Sequence, residues 1–175
     1  MKELKEILFG VNIDSVYGDT NLSISGISFD SRQIKHNNIF IAIKGYDLDG
    51  HNYIDQSINN GAIVVVCESL PKTINKYEIV FIKVKCSKIA LYTISSNLYG
   101  NPSSKIDLIG VTGTNGKTTI TSLLYKLFNN QGIKSGLIST INIEYEEFTE
   151  NSKNTTPDPI LLNHHLNEMV KRNIK

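Results

Sequence analysis

The stretch that most constrains this chain is Leu108-Ile109-Gly110-Val111-Thr112-Gly113-Thr114-Asn115-Gly116-Lys117-Thr118-Thr119. An apolar run stops at a glycine-rich turn. Behind the lysine and two threonines, Ile120, Leu123, Leu124, Leu127 and Phe128 recur at i, i+3, i+4, i+7 and i+8, which is one face of a helix. The segment therefore reads strand, loop, helix, with Gly-x-x-Gly-Lys-Thr at the joint. Bound phosphates need such a joint, because N–H groups of a glycine-rich loop converge on phosphate oxygens and the helix start adds partial positive charge. Gly113, Thr114, Asn115, Gly116, Lys117, Thr118 and Thr119 are the candidate triphosphate-binding residues. Lys117 can reach the β- and γ-phosphates, and the Thr118 hydroxyl can ligate Mg²⁺. The usual P-loop pattern asks for Gly or Ala five residues ahead of Gly116, where this chain has Val111, and Gly113 lies inside the loop instead. An ordinary βα turn is the competing reading.

The flanking sequence alternates strands with helices, the pattern of an α/β domain. Residues 2–9 form a short amphipathic helix. Residues 22–29 alternate apolar and polar as a half-buried strand does. Ile39–Ile43, Ala62–Cys67 and Ile79–Val84 are further strands, the second a β-branched run suited to burial on both faces. Helices are expected over 53–58 and 89–99. Asn101-Pro102-Ser103-Ser104 reads as a linker between a first domain, 1–101, and a nucleotide unit, 105–175. In the second unit 135–139 is a strand, 141–145 is extended and 144–154 is a loop or hairpin. Asp158 and Pro159 open a last helix with Leu162, Leu166, Met169 and Val170 on its apolar face.

Three smaller features stay open on the residues alone. Asp30-Ser31-Arg32 lies at a strand end, where α/β sheets place ligands; taken alone, such a segment is more often just a capped turn. Asn154-Thr155-Thr156 is a polar stretch that could contact a ligand or simply enter the next helix. His51 is expected at a helix start, and His164-His165 as a solvated patch. Cys67 and Cys86 are expected as free thiols of a reducing compartment. Eighteen basic and 17 acidic side chains leave a net charge of +1, which gives no electrostatic reason for a nucleic-acid or anionic-membrane partner. No apolar run approaches a membrane span of about 20 residues, and the charged N-terminus lacks a signal core. A cytoplasmic monomer is expected.

Taken in order, Phe29-Asp30-Ser31-Arg32, Ile39 to Gly45, Asp49-Gly50-His51, Asn60-Gly61-Ala62 and Gly110 to Thr119 closely resemble the Mur ligase family. Asn154-Thr155-Thr156-Pro157-Asp158-Pro159 narrows the resemblance to members that extend UDP-N-acetylmuramoyl-L-alanyl-D-glutamate by the third amino acid of the peptidoglycan stem. The resemblance implies a small N-terminal α/β domain that binds the UDP substrate, followed by a P-loop, Rossmann-like central ligase domain. It implies an ATP- and Mg²⁺-dependent amide ligase working through an acyl phosphate, with a diamino acid, 2,6-diaminopimelate or lysine, as the amine. By motif match, Gly113 to Thr119 hold ATP and Mg²⁺ with Lys117 catalytic, Ser31 contacts the UDP part, and Asn154, Thr155 and Thr156 contact the muramoyl dipeptide. Complete members carry further domains. The expectation is thus an N-terminal piece with a truncated central domain, inactive alone, in which Leu162, Leu166 and Met169 lack part of their cover. Another P-loop NTPase or kinase, or a non-catalytic nucleotide-binding module, are the alternatives.

Overall fold

The computed structural model describes residues 1–72, 74–152 and 156–174. The chain divides into two compact units, Met1–Leu98 and Tyr99–Lys175.

The first unit runs β1 (Lys2–Glu3), α1 (Leu4–Ile7), β2 (Ile13–Tyr17), β3 (Ser23–Ile24), β4 (Gly26–Ser28), β5 (Asn38–Ile41), α2 (Ile54–Asn59), β6 (Ala62–Cys67), β7 (Val80–Val84) and α3 (Ser87–Leu98). Five strands form one sheet in the order β2-β7-β6-β5-β4. β4, β5, β6 and β7 are mutually parallel, and β2 closes one edge antiparallel to β7. Parallel strands must be covered on both faces, and the side-chain alternation of β5 and β6 meets that need. Phe40, Ala42, Ala62, Val65 and Cys67 pack on one face with Ile34, Ile54 and Phe81. Their neighbours Ile39, Ile41, Val64 and Val66 point the other way and are equally buried. α3 packs on β6, and α1 on α3. The expected strand over 22–29 is split into β3 and β4, which pair with different partners, β1 and β5. Cys67 is buried and Cys86 half-buried, both as free thiols.

The second unit contains α4 (Lys117–Asn130), β8 (Gly136–Ile138), β9 (Asn142–Tyr145), β10 (Phe148–Asn151) and α5 (Pro159–Lys171). β8, β9 and β10 form an antiparallel sheet with β9 in the centre. α5 begins as its sequence dictates: the Asp158 carboxylate accepts from the N–H groups of Ile160 and Leu161, and Pro159 sits in the first turn. Its face packs on the hairpin, with Leu166 and Met169 buried among Ile143, Tyr145 and Ile174, and with Leu162 and Ile138 alongside. The contact with β8 is close enough that a Cβ on Gly136 would lie 2.7 Å from the Met169 thioether.

Two expectations fail here. The apolar face of α5 is well covered; it is α4 that is bare, with Ile120, Leu123 and Leu127 about half exposed or more and no buried residue. The apolar run before the glycine loop is also not a paired strand: residues 107–112 have no hydrogen-bonded neighbour among the described residues. A strand of a parallel sheet exists only through such neighbours, and local sequence cannot supply them. An open apolar cleft of about 480 Å³, lined by Leu108, Ile109, Leu124, Phe128, Leu137 and Leu166, lies beside the run.

The histidine pair is corrected as well. His164 is exposed, but His165 is 2% exposed. It occupies a position of the stripe Leu162, His165, Leu166, Met169, spaced i, i+3, i+4, i+7, and is therefore turned inward. Its Nδ1 lies 3.3 Å from the Tyr145 hydroxyl, and its Nε2 has no hydrogen-bond partner among the described residues. Tyr145 stacks on Phe148 with centroids 4.6 Å apart. Burial first, then the neighbouring His164, holds the His165 pKa below its ordinary value, against the smaller pull of Glu150 and Glu168. A histidine depressed in the fold stabilises above the unfolded pKa, about 6.5, and the contribution is lost as pH falls through the folded value. The melting temperature of the second unit should therefore drop on acidification below that range, and His165→Leu should flatten the dependence in thermal scans across pH.

Candidate nucleotide-binding site

The glycine loop is shaped by its own residues. Gly116 is the N-cap of α4 in the left-handed region, φ 80°, and contributes no side-chain cap. A Cβ there would meet only Ile120 Cδ1 at 3.9 Å, so the conformation, rather than space, calls for glycine. The first helical bond runs from Ile120 N–H to the Gly116 carbonyl, 2.9 Å. The N–H groups of Lys117, Thr118 and Thr119 precede it and are the orphan donors of a helix start. No acidic side chain occupies the first turn of α4, so the positive end of its dipole is unopposed there.

Lys117 curls back over this loop. Its ammonium donates to the Gly113 carbonyl at 2.6 Å and to that of Thr114 at 3.4 Å. An ammonium has three donors, so one remains for an incoming anion while the loop is held. The Thr118 hydroxyl lies 3.1 Å from that of Thr140. Gly113, Thr114, Asn115, Gly116 and Thr119 are exposed, and Lys117 and Thr118 half-exposed. All seven residues expected at the phosphates thus lie in one continuous turn. Thr140, not singled out by the sequence, joins them from the turn after β8; its position past the end of the next strand was the signal available.

The donor set fits a polyphosphate: uncapped N–H groups and an ammonium, with hydroxyl oxygen beside them. It also fits Mg²⁺ held mainly by phosphates and water, which needs only one or two hard protein ligands. The Thr118 oxygen is such a ligand, and no cluster of three or more His, Cys, Asp or Glu able to hold a metal occurs among the described residues.

The other candidate residues belong to other elements of the chain. Ser31 lies in the first unit, past the carboxyl end of β4, and is 6% exposed. Its hydroxyl donates to Gln56 Oε1 at 2.8 Å, and its carbonyl accepts from Asn60 Nδ2 at 2.8 Å. Asp30 caps this turn and grips Arg32 with both carboxylate oxygens, 2.9 and 2.8 Å. The hydrogen bond from the Arg32 side chain holds the Asp30 carboxyl below its ordinary range. The Arg32 side chain is otherwise 79% exposed. Past β5, His51 follows the Asp49 cap of a single 3-10 turn, Gly50–Tyr53. Its Nδ1 meets Asp49 Oδ1 at 2.6 Å, and its Nε2 accepts from the Glu68 N–H at 3.0 Å, past the end of β6. The bonding assigns the ring proton to Nδ1 and leaves Nε2 engaged. The ends of β4, β5 and β6 thus present Ser31, the 44–50 loop and Glu68 together, the place where parallel sheets bind ligands. Thr156 is an exposed bend ahead of α5; Asn154 and Thr155 lie outside the described residues.

Comparison with known proteins follows the same division. Residues 23–96 match the Mur ligase family, catalytic domain, and residues 111–175 match the Mur ligase middle domain. A UDP-N-acetylmuramoyl-L-alanyl-D-glutamate--2,6-diaminopimelate ligase of Phocaeicola vulgatus is 44% identical over 173 residues, 99% of this chain and 36% of that protein. One of Cytophaga hutchinsonii is 45% identical over 169 residues, 97% of this chain and 35% of that protein. The chain thus spans about a third of the length of the curated relatives it matches. Among solved structures, MurF from Acinetobacter baumannii aligns with a TM-score of 0.64 at 20% identity, over 95% of this chain and 33% of that one, a likeness of fold. MurF ligase from Thermotoga maritima in complex with ADP aligns at 0.55 and 26% identity, over 81% of this chain and 29% of that one.

Proposed function

This chain belongs to the Mur ligase family, and from that premise we propose that it supplies the UDP-substrate and ATP-phosphate sites of a ligase that joins 2,6-diaminopimelate to UDP-N-acetylmuramoyl-L-alanyl-D-glutamate. The observation that carries the reading is the uncapped start of α4 with Lys117 folded over its loop. In the reaction, the γ-phosphoryl group of ATP passes to a glutamyl carboxylate oxygen and ADP leaves. The diamino acid's amine then attacks the acyl carbon, the acyl C–O bond breaks and phosphate departs. Phosphoryl transfer depends mostly on positioning and charge stabilisation, and these residues are suited to both. The N–H groups of Lys117, Thr118 and Thr119 hold phosphate oxygens, and the free Lys117 donor offsets charge on the transferring group. Gly113, Thr114, Asn115 and Gly116 form the wall of that cradle. Thr118 would hold Mg²⁺, which would supply positive charge to offset that of the phosphates.

In the same reading residues 1–101 take the UDP part of the substrate and residues 105–175 begin the ATP domain. Ser31 meets the nucleotide by accepting a hydrogen bond while still donating to Gln56. Asn154, Thr155 and Thr156 meet the muramoyl dipeptide. No described helix is long and apolar enough to cross a membrane, and the reading places the protein in the cytoplasm as a monomer acting on soluble substrates.

Two substitutions test the assignments. Hydrogen bonds to charged groups contribute about 1.5–3 kcal/mol, so Lys117→Ala should weaken Mg²⁺–ATP binding in calorimetry by at least about tenfold. Affinity equal to that of the unsubstituted chain would remove Lys117 from the phosphate site. A neutral hydrogen bond contributes about 0.5–1.5 kcal/mol, so Ser31→Ala should weaken UDP-N-acetylmuramoyl-L-alanyl-D-glutamate binding several-fold and leave ATP binding unchanged. Equal weakening of both ligands would instead mark a fold defect.

A further inference from the structure

A hydroxyl that ligates a cation through an oxygen lone pair must direct its proton to another acceptor, or the proton competes with the metal for the same space. Thr118 has one hydroxyl within hydrogen-bond distance, that of Thr140, and either of the two can donate. We propose that Thr140 is a positioning residue for Mg²⁺: its Oγ1, 3.1 Å from Thr118 Oγ1, accepts the Thr118 proton and so turns the Thr118 lone pairs toward the metal of bound Mg²⁺–ATP. The inference deepens the reading of this loop as an ATP site and rests on it.

The helix itself shows that this pairing is not the default for a threonine. One turn later, Thr121 bonds back to the carbonyls of Lys117 and Thr118, both at 3.0 Å, as helix threonines commonly do. Thr118, in the first turn, reaches across to the 139–142 turn instead. Nor is Thr140 placed by packing, since it is exposed.

What places Thr140 is the hydrogen bonding of the residues around it. Ser139 is 9% exposed. Its hydroxyl accepts from the N–H groups of Ile141 and Asn142, 3.3 and 3.1 Å, and donates to Asn142 Oδ1 at 2.8 Å. Its N–H donates to the Asn142 carbonyl at 2.9 Å. From β10's end, the Ser152 hydroxyl donates to the Ser139 carbonyl at 2.7 Å, and the Ser152 N–H to the Ile141 carbonyl at 2.8 Å. A turn fixed on both sides of Thr140 holds one hydroxyl at a set point beside the helix start. Such outer partners fix the orientation of a metal-ligating group, and losing one typically costs about 10–100-fold in metal affinity.

The experiment measures ATP affinity of the chain in Mg²⁺ and in EDTA, for the unsubstituted protein, Thr140→Val, Thr140→Ala and Thr140→Ser. Valine and alanine remove the hydroxyl; serine keeps it. Both hydroxyl-free variants should bind Mg²⁺–ATP about tenfold more weakly with unchanged affinity in EDTA, and Thr140→Ser should bind as the unsubstituted chain does. Losses of the same size in EDTA would show a structural role and overturn the proposal, as would full Mg²⁺–ATP affinity without the hydroxyl. If the unsubstituted chain gains no ATP affinity from Mg²⁺, the Mg²⁺–ATP reading of the loop falls, and this inference falls with it.

Discussion

A strand of a parallel sheet is held by its neighbours: its edges must be paired and both its faces covered. Most of this molecule follows from where that condition is met. In the first unit β5 and β6 lie between paired strands, with apolar residues buried on both faces. The carboxyl ends of β4, β5 and β6 consequently sit at fixed positions, and Ser31, the 44–50 loop and Glu68 are set beside one another. In the second unit, residues 107–112 have no paired neighbour among the described residues, and α4 keeps its apolar face open. The glycine loop therefore owes its form to local bonds rather than to a sheet beneath it.

Those local bonds are few and each has a direction. Gly116 turns left-handed and starts α4 without a side-chain cap. Lys117 bonds the loop's own carbonyls, and Thr118 meets Thr140. Each bond leaves something unused on the side a ligand would approach: N–H groups, one ammonium donor, hydroxyl lone pairs. An anion can add to this arrangement without breaking it, and that preorganisation is what phosphoryl transfer asks of a protein.

The sequence was informative where a pattern has a local cause. The β-branched run of β6, the Asp158-Pro159 start of α5 and the Gly-Lys-Thr entry to α4 each appear as expected. β2 was missed because Ile13–Tyr17 is an edge strand whose pattern is half exposed. The run before the glycine loop was overestimated, since its apolar character signals a strand but not the partner a strand needs. His165 was misread by its chemistry, although its spacing with Leu162, Leu166 and Met169 already turned it inward. Thr140 carried no motif at all; its place depends on a three-dimensional turn organised by Ser139 and Ser152.

The central claim is that the start of α4 binds the phosphates of ATP. The most direct measurement is the backbone amide spectrum of isotope-labelled chain during titration with Mg²⁺–ATP. The account predicts that the largest chemical-shift changes fall on the amides of Gly113 to Thr119, with a second set at Thr140 and its turn. Saturable changes centred elsewhere, with those amides unmoved, would contradict it.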